Sequence, residues 1–129
     1  MDNNCYPKLP EIISENDEKA SPEVMETLKT LMERDYSDHT KKALFLDIRE
    51  FVRWYEGEYG ERFTFGRIIR QDIIDFRESL KRLGRAVATI NRKLASLRLF
   101  FEVAVELEYI KKNPVHGVKS LPSQSLSPK

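Results

Sequence analysis

The chain has 129 residues, of which 40% are apolar and 33% charged, and its formal net charge is +1. This length suits one small domain, and because the sequence has neither a long apolar run nor a signal peptide we expect a cytoplasmic protein without a membrane partner. Cys5 is the only cysteine and there are only two histidines, so we expect no disulfide framework, no metal site and no other cofactor.

The first predicted helix follows a polar lead. Residues 1–20 contain two prolines and five acidic residues without a sustained period, which predicts a flexible segment. Ser21 can cap a helix and Pro22 suits its first position, so we expect a helix from here to about Asp35. Its apolar face comprises Val24, Leu28, Leu31 and Met32.

The second predicted helix is long and amphipathic. Ser37 offers an N-cap, and the helix should end between Gly57 and Gly60. Its apolar residues recur at helical spacing and are Leu44, Ile48, Phe51, Val52 and Tyr55. The opposite side carries Lys42, Arg49 and Arg53.

A third helix is predicted from Arg70 to Gly84, where the glycine suits the left-handed conformation that often ends a helix. Its apolar residues are Ile73, Ile74, Phe76, Leu80 and Leu83. We interpret Asp72 and Asp75, one turn apart, as part of a solvated face. Residues 60–69 are predicted to be a connection, because 62–69 is too short and too interrupted by Gly66 to form a convincing strand.

The fourth helix is predicted from Ala86 to about Lys112, where Asn113 and Pro114 should end it. Its core stripe comprises Ile90, Leu94, Leu97, Phe101, Ala104 and Val105. We therefore expect an all-α fold of four to five helices over residues 21–114. Residues 115–129, rich in serine and proline towards their end, are predicted to be a linker.

The side of the fourth helix opposite its core stripe changes character along its length. The first turns present Arg85, Ala88, Arg92 and Ser96, whereas Leu99 and Val103 follow on the same side. Small residues beside an arginine would let a helix approach the edges of bases in a major groove. Alternatively, the charges only make an apolar helix soluble. Leu99 and Val103 should pack against the first helix, a neighbouring subunit or a domain outside this chain.

Charge is distributed unevenly along the chain. Residues 1–36 carry nine Asp and Glu against four Lys and Arg, whereas residues 37–122 carry seventeen Lys and Arg against twelve Asp and Glu. This asymmetry favours an anionic partner for the second part, although a solvated surface of mixed sign is the simpler interpretation.

Three segments in order resemble the N-terminal core-binding domain of the tyrosine recombinases, the phage integrase family. They are SDHTKKALFLDIREFVRWY, IIRQDIIDFRESLKRLG and ATINRKLASLRLFFEVAVELEYIKKNP, and the resemblance spans about residues 22–122. It implies a SAM-like helical bundle that clamps one side of recombination-site DNA through two helices in the major groove. It also implies double-stranded DNA and other recombinase protomers as partners. The sequence departs from the family at Ile69 and Ala86, where capping residues are usual.

The resemblance and the helix faces together give a candidate DNA-binding set. On the second helix it comprises Lys41, Lys42, Ala43, Arg49 and Arg53; near and on the fourth it comprises Arg85, Ala88, Thr89, Arg92, Lys93 and Ser96. Most of these should position the phosphate backbone, with Arg92 and Ser96 the better candidates for base contacts.

We expect no catalysis from this chain itself. The chemistry of the resembled family needs a tyrosine nucleophile and arginines that bind the scissile phosphate, all in a C-terminal catalytic domain that would follow residue 129. Tyr55 and Tyr109 are interpreted as residues at the edge of the core. The alternative function is a helical protein–protein interaction module that does not bind DNA.

Overall fold

The computed structural model describes residues 21–122. They form four helices: α1 (Pro22–Met32), α2 (Asp38–Tyr59), α3 (Arg70–Arg82) and α4 (Val87–Glu106). The only other regular element in this range is a 3-10 turn at Phe65–Arg67, so the predicted all-α class is confirmed. No helix among these residues has the length and apolarity needed to cross a bilayer. The predicted lead at 1–20 and the end of the predicted linker, 123–129, lie outside the described residues.

Two of the helix starts are capped as the sequence predicts. The Ser21 hydroxyl accepts a hydrogen bond from the Val24 N–H at 3.2 Å, and the Ser37 hydroxyl accepts one from the Thr40 N–H at 3.1 Å. At the end of α3, Gly84 adopts a φ of 78°, the left-handed conformation that glycine adopts without strain. Ala86 begins α4 without a side-chain cap.

Asp72 lies in the interior, so its interpretation as part of a solvated face is wrong. Its side chain is buried, one carboxylate oxygen accepts from the Ile69 N–H at 3.0 Å, and the other accepts a short hydrogen bond from the Tyr59 hydroxyl. The carboxylate thus satisfies the backbone N–H of Ile69, the residue that precedes the first turn of α3. This hydrogen bond to Asp72 is the main cause that raises the pKa of Tyr59 to about 12.

The fourth helix ends at Glu106, six residues before the predicted end at Lys112. Glu108 has a φ of 67°, and the Tyr109 N–H donates to the Ala104 carbonyl at 2.9 Å. Together with a bond from the Glu108 N–H to the Val105 carbonyl, this is the hydrogen-bond pattern of a Schellman cap. The sequence does not reveal it because glutamate occupies the position where glycine is usual.

The core is centred on α4, which packs against each of the other three helices. Phe51 of α2 lies edge-to-face against Phe63, Phe76 and Phe101, with ring centroids 5.9, 5.2 and 6.1 Å away. Phe63 and Phe65 belong to the connection between α2 and α3, and both are buried. This aromatic cluster therefore joins α2, α3, α4 and the connection.

The first helix covers the C-terminal half of α4. Val103, predicted on the outward side, is fully buried in the core cluster to which α1 also contributes, and Leu99 packs against that cluster partly buried. Arg34, just beyond the end of α1, also forms an ion pair with Glu106 at the end of α4, with N and O atoms 2.9 Å apart. The first helix, one of the three partners expected for this side of α4, packs against α4.

The packed region extends beyond Pro114, where the predicted domain ended. Val115 and Val118 are buried, and the Asn91 side chain forms two hydrogen bonds, of 2.8 and 3.0 Å, with the backbone of Leu121. Arg77 also donates to the Lys119 carbonyl at 2.8 Å. Residues up to Leu121 therefore lie against α3 and α4, and the role of 115–129 as a linker stays a prediction.

Candidate nucleic-acid interface

The N-terminal half of α4 is joined to the middle of α2 through the Asp47 carboxylate. Asp47 is fully buried and accepts four hydrogen bonds. They come from Arg92 Nε at 3.2 Å, Arg92 Nη2 at 2.7 Å, Lys93 Nζ at 2.9 Å and Ser96 Oγ at 2.7 Å. A buried charge of this kind is tolerated only when it is paired and hydrogen-bonded, and here all the donors come from one helix.

Glu50 extends the network by one turn of α2. One of its oxygens lies 2.7 Å from Lys93 Nζ and the other 2.9 Å from Arg85 Nη1. Burial acts to raise the pKa of Glu50, but hydrogen bonds from Lys93 and Arg85, together with their charges, outweigh it and hold the pKa below its ordinary value. Lys93 therefore forms ion pairs with both acids. Arg85, which precedes α4, forms an ion pair with Glu50 on α2.

Lys93 and Ser96 do not lie on an outward face, and their role as DNA contacts stays a prediction. The Lys93 side chain is 5% exposed and Ser96 is also buried. The reason is that α2 packs against this side of α4 and supplies Asp47 as their partner. Helical spacing within α4 could not reveal the identity of this partner, because the acid belongs to another helix.

Arg92 remains largely accessible although Asp47 binds it. Its side chain is 54% exposed, and only its Nε and Nη2 atoms contact the carboxylate. Ala88 and Ala95 are exposed on the same side of α4. The outward strip of this half of α4 is therefore Ala88, Arg92 and Ala95, one position away from the predicted Ser96.

The outer face of α2 supplies further positive charge. Lys42 and Arg53 are exposed, Arg49 is half-buried, and Leu46 between them is 42% exposed. The Arg49 Nε atom is buried without a hydrogen-bond partner. Of the other predicted residues, Lys41, Ala43, Arg85 and Thr89 are half-buried.

The network between α2 and the start of α4 contains one cation more than it contains acids. In the network, Asp47 and Glu50 are opposed by three cations, Arg85, Arg92 and Lys93. Lys42, Arg49 and Arg53 also lie on the outer face of α2. We call the face made of Lys42, Arg49, Arg53, Ala88, Arg92 and Ala95 the basic face.

Sequence reasoning missed the two acids of the network and Ala95. A signal for Asp47 was present: on a helical wheel it lies only about 40° from the core residue Phe51. An acid so close to a core stripe needs a buried partner, and the cations of α4 were the available ones. Glu50 and Ala95 carried no comparable signal, since their surroundings depend on how α2 and α4 pack.

Tyr55 and Tyr109, predicted at the edge of the core, both pack against its aromatic rings. Tyr55 is buried against Phe51 and Phe63, with ring centroids 6.3 and 5.2 Å away. Tyr109 is half-buried and stacks on Phe65 at 6.0 Å. A short hydrogen bond from its hydroxyl to Glu26 is the main cause that raises the pKa of Tyr109. Within residues 21–122, no group of three or more His, Cys, Asp and Glu side chains is arranged to hold a metal ion.

A pocket of about 590 Å³ lies at the other end of α4, away from the basic face. Its charged lining is of mixed sign, and Glu106 in it already pairs with Arg34. The lining residues are Arg70, Glu102, Val105, Glu106, Lys111, Lys112, Asn113 and His116.

Comparison with known proteins identifies relatives of this chain. The family model described as "Phage integrase, N-terminal SAM-like domain" matches residues 26–107. Tyrosine recombinase XerC of Lacticaseibacillus casei is 31% identical over 89 residues, which cover 68% of this chain and 29% of that protein. Tyrosine recombinase XerD of Oceanobacillus iheyensis is 29% identical over 83 residues, covering 64% and 28%.

The ICEBs1 integrase of Bacillus subtilis is 28% identical over 83 residues, covering 64% of this chain and 23% of that protein. The matched region thus spans less than a third of the length of these curated relatives. No solved structure matches the chain significantly.

Proposed function

This chain belongs to the phage integrase N-terminal SAM-like domain family, and on that premise we propose that it is the DNA-binding, core-binding domain of a site-specific tyrosine recombinase. The observation that carries the proposal is the basic face, on which α2 and α4 present cations side by side. Duplex DNA attracts such a face because neutralising phosphates releases condensed counterions.

The residues of the basic face divide into two roles in this proposal. Lys42, Arg49 and Arg53 contact phosphates and set the position of the domain on the duplex. Arg92 contacts a base edge, and the small side chains of Ala88 and Ala95 let α4 approach the major groove. The ionic network between α2 and α4 holds the two helices at a constant angle, so that they enter or cross the groove as one body.

The catalytic part of the recombinase would be a separate C-terminal domain, to which residues 115–129 lead as a linker. The nucleophilic tyrosine and the arginines that bind the scissile phosphate belong to that domain. Other protomers of the same recombinase and the recombination site are then the partners, in the cytoplasm. The relatives named as tyrosine recombinases are more than three times the length of the region that matches here, which leaves room for this arrangement.

Titration of the chain with a random-sequence duplex at several salt concentrations tests the proposal. We expect weak binding, on the order of micromolar, with log K falling against log salt concentration by about 0.9 per phosphate contact. Lys42→Ala should reduce that slope by about one contact. Lys29→Ala is the matched control, because Lys29 is an exposed lysine on α1, and it should leave the slope unchanged.

Two results would count against the proposal. Absence of binding at low salt would contradict DNA binding and favour the helical protein–protein interaction module. Binding that is insensitive to salt, or equally weakened by Lys42→Ala and Lys29→Ala, would remove the basic face as the interface.

A further inference from the structure

The Arg92 guanidinium is bound along one edge only. Its Nε and Nη2 atoms donate to the two oxygens of Asp47, at 3.2 and 2.7 Å. A guanidinium has five N–H donors, so the remaining hydrogens of Nη1 and Nη2 are left for another partner. Since the side chain is 54% exposed, this second edge is available on the basic face.

Asp47 is itself held in place. It is fully buried, and Lys93 Nζ and Ser96 Oγ donate to the same carboxylate at 2.9 and 2.7 Å. The carboxylate therefore cannot turn to follow a moving Arg92. An arginine normally loses rotamer freedom when it binds, but here two hydrogen bonds to Asp47 already orient the guanidinium.

We infer that Asp47 is a positioning residue that orients Arg92 to read a guanine in the major groove. The inference rests on the proposed DNA-binding function and adds a specificity determinant to it. Guanine presents two acceptors, O6 and N7, that match the free edge of the guanidinium. The buried carboxylate offsets the charge of Arg92 and so weakens its general attraction for phosphate, while the hydrogen-bond donors of that edge are unaffected. Ala88 and Ala95 on either side leave space for close approach.

The test uses duplexes selected by the wild-type chain from a randomised pool. Each guanine of a selected duplex is replaced in turn by 7-deazaguanine, which lacks the N7 acceptor. We expect one replacement to weaken wild-type binding by roughly 5-fold or more. The same replacement should have no effect on binding by Arg92→Ala, because alanine has no side-chain donor for guanine N7.

The role of Asp47 is tested with the double variant Asp47→Asn, Lys93→Met. Asp47→Asn alone leaves the buried Lys93 charge with less compensation and is prone to unfold, whereas the double variant removes both charges. It should fold, as checked by circular dichroism, and lose most of the sensitivity to 7-deazaguanine although Arg92 is present. Lys42→Ala is the matched control: it should weaken binding to all the duplexes equally and keep the sensitivity.

A measurement without DNA follows the orientation directly. In the nuclear magnetic resonance spectrum of wild type, the Arg92 Nε–H should exchange slowly with water because Asp47 accepts from it, and this protection should be lost in the double variant.

If the double variant keeps full sensitivity to 7-deazaguanine, or if the Nε–H is unprotected in wild type, Asp47 does not position Arg92 although DNA binding stands. If Arg92→Ala weakens binding to every duplex equally, Arg92 contacts phosphate and the inference is overturned. If the chain binds no duplex at all, the proposed function itself fails.

Discussion

The two halves of α4 are attached to α2 by different physical means. The N-terminal half is joined through a polar network around the buried pair Asp47 and Lys93, which also includes Glu50, Arg92 and Ser96. The C-terminal half is joined through rings, with Phe51 against Phe101. Apolar contacts are stabilised by the area removed from water, whereas a buried ion pair is costly to break but contributes little net stability. The C-terminal half, which we call the aromatic half, should therefore contribute most of the stability of the fold. The N-terminal half, which we call the polar half, should determine which side chains face the solvent.

Breaking the aromatic half should have the largest effect. Phe101 is fully buried and contacts the rings of Phe51, Phe63 and Phe65. We expect Phe101→Ala to lower the free energy of unfolding by about 3–5 kcal/mol, through lost burial and a residual cavity. Urea denaturation followed by circular dichroism measures it. Ile69→Ala, at a side chain that is 59% exposed, is the control and should change stability by less than about 0.5 kcal/mol; equal losses would contradict the comparison.

Removing only one of the two buried charges in the polar half should have the next largest effect. Asp47→Asn leaves Lys93 with Glu50 as its remaining anionic partner, and we expect a loss of about 3 kcal/mol. Adding Lys93→Met should recover part of that loss, because the uncompensated charge is removed as well. A double-mutant cycle from denaturation midpoints gives the coupling energy. If the losses of the two single variants simply add, the two side chains are not coupled.

Acid should weaken the polar half and not the aromatic half. The pKa of Glu50 is lowered in the folded state, so its ion pairs stabilise the fold above the ordinary carboxyl pKa of 4.5, and this contribution is lost as the pH falls through the folded-state pKa. Wild type should exceed Glu50→Gln in stability by less than about 1 kcal/mol near neutral pH. Denaturation at a series of pH values should show this difference shrinking towards acid. If the stability difference between wild type and Glu50→Gln stays constant down to acid pH, the charge of Glu50 is not its source. The loss of stability in Phe101→Ala should not change with pH in this way.

Adding a cap at the polar end of α4 should have the smallest effect. Ala86 occupies the N-cap position with extended backbone angles and no side-chain hydrogen bond. Ala86→Ser should raise the free energy of unfolding by about 0.5–1 kcal/mol, because the hydroxyl can accept from a backbone N–H of the first turn. Thermal denaturation measures the gain. Ala95→Ser, at an exposed position inside the helix, is the matched control and should give no gain, since no unpaired N–H is available there; similar gains in both would argue against capping.

Local features were predictable from the sequence, and long-range ones were not. The caps at Ser21 and Ser37 use hydrogen bonds between residues three apart, so nearby residue types suffice to predict them. The end of α4 was missed because Glu108 adopts a left-handed conformation that favours glycine. The burial of Phe63 and Phe65 was missed because their segment has no helical period against which a core face could be recognised.

By itself the sequence determined the all-α class, the starts of the helices and the resemblance to the phage integrase family, because these depend on spacing, capping and residue order along the chain. Only the tertiary structure decided which cations face outward. Asp47 and its partners Arg92, Lys93 and Ser96 are between 45 and 49 positions apart in the chain. The helical period of α4 places Arg92 and Ser96 on its polar side and Lys93 at the border of its core stripe, but only the buried carboxylate of α2 explains why Lys93 and Ser96 are buried and Arg92 is bound along one edge.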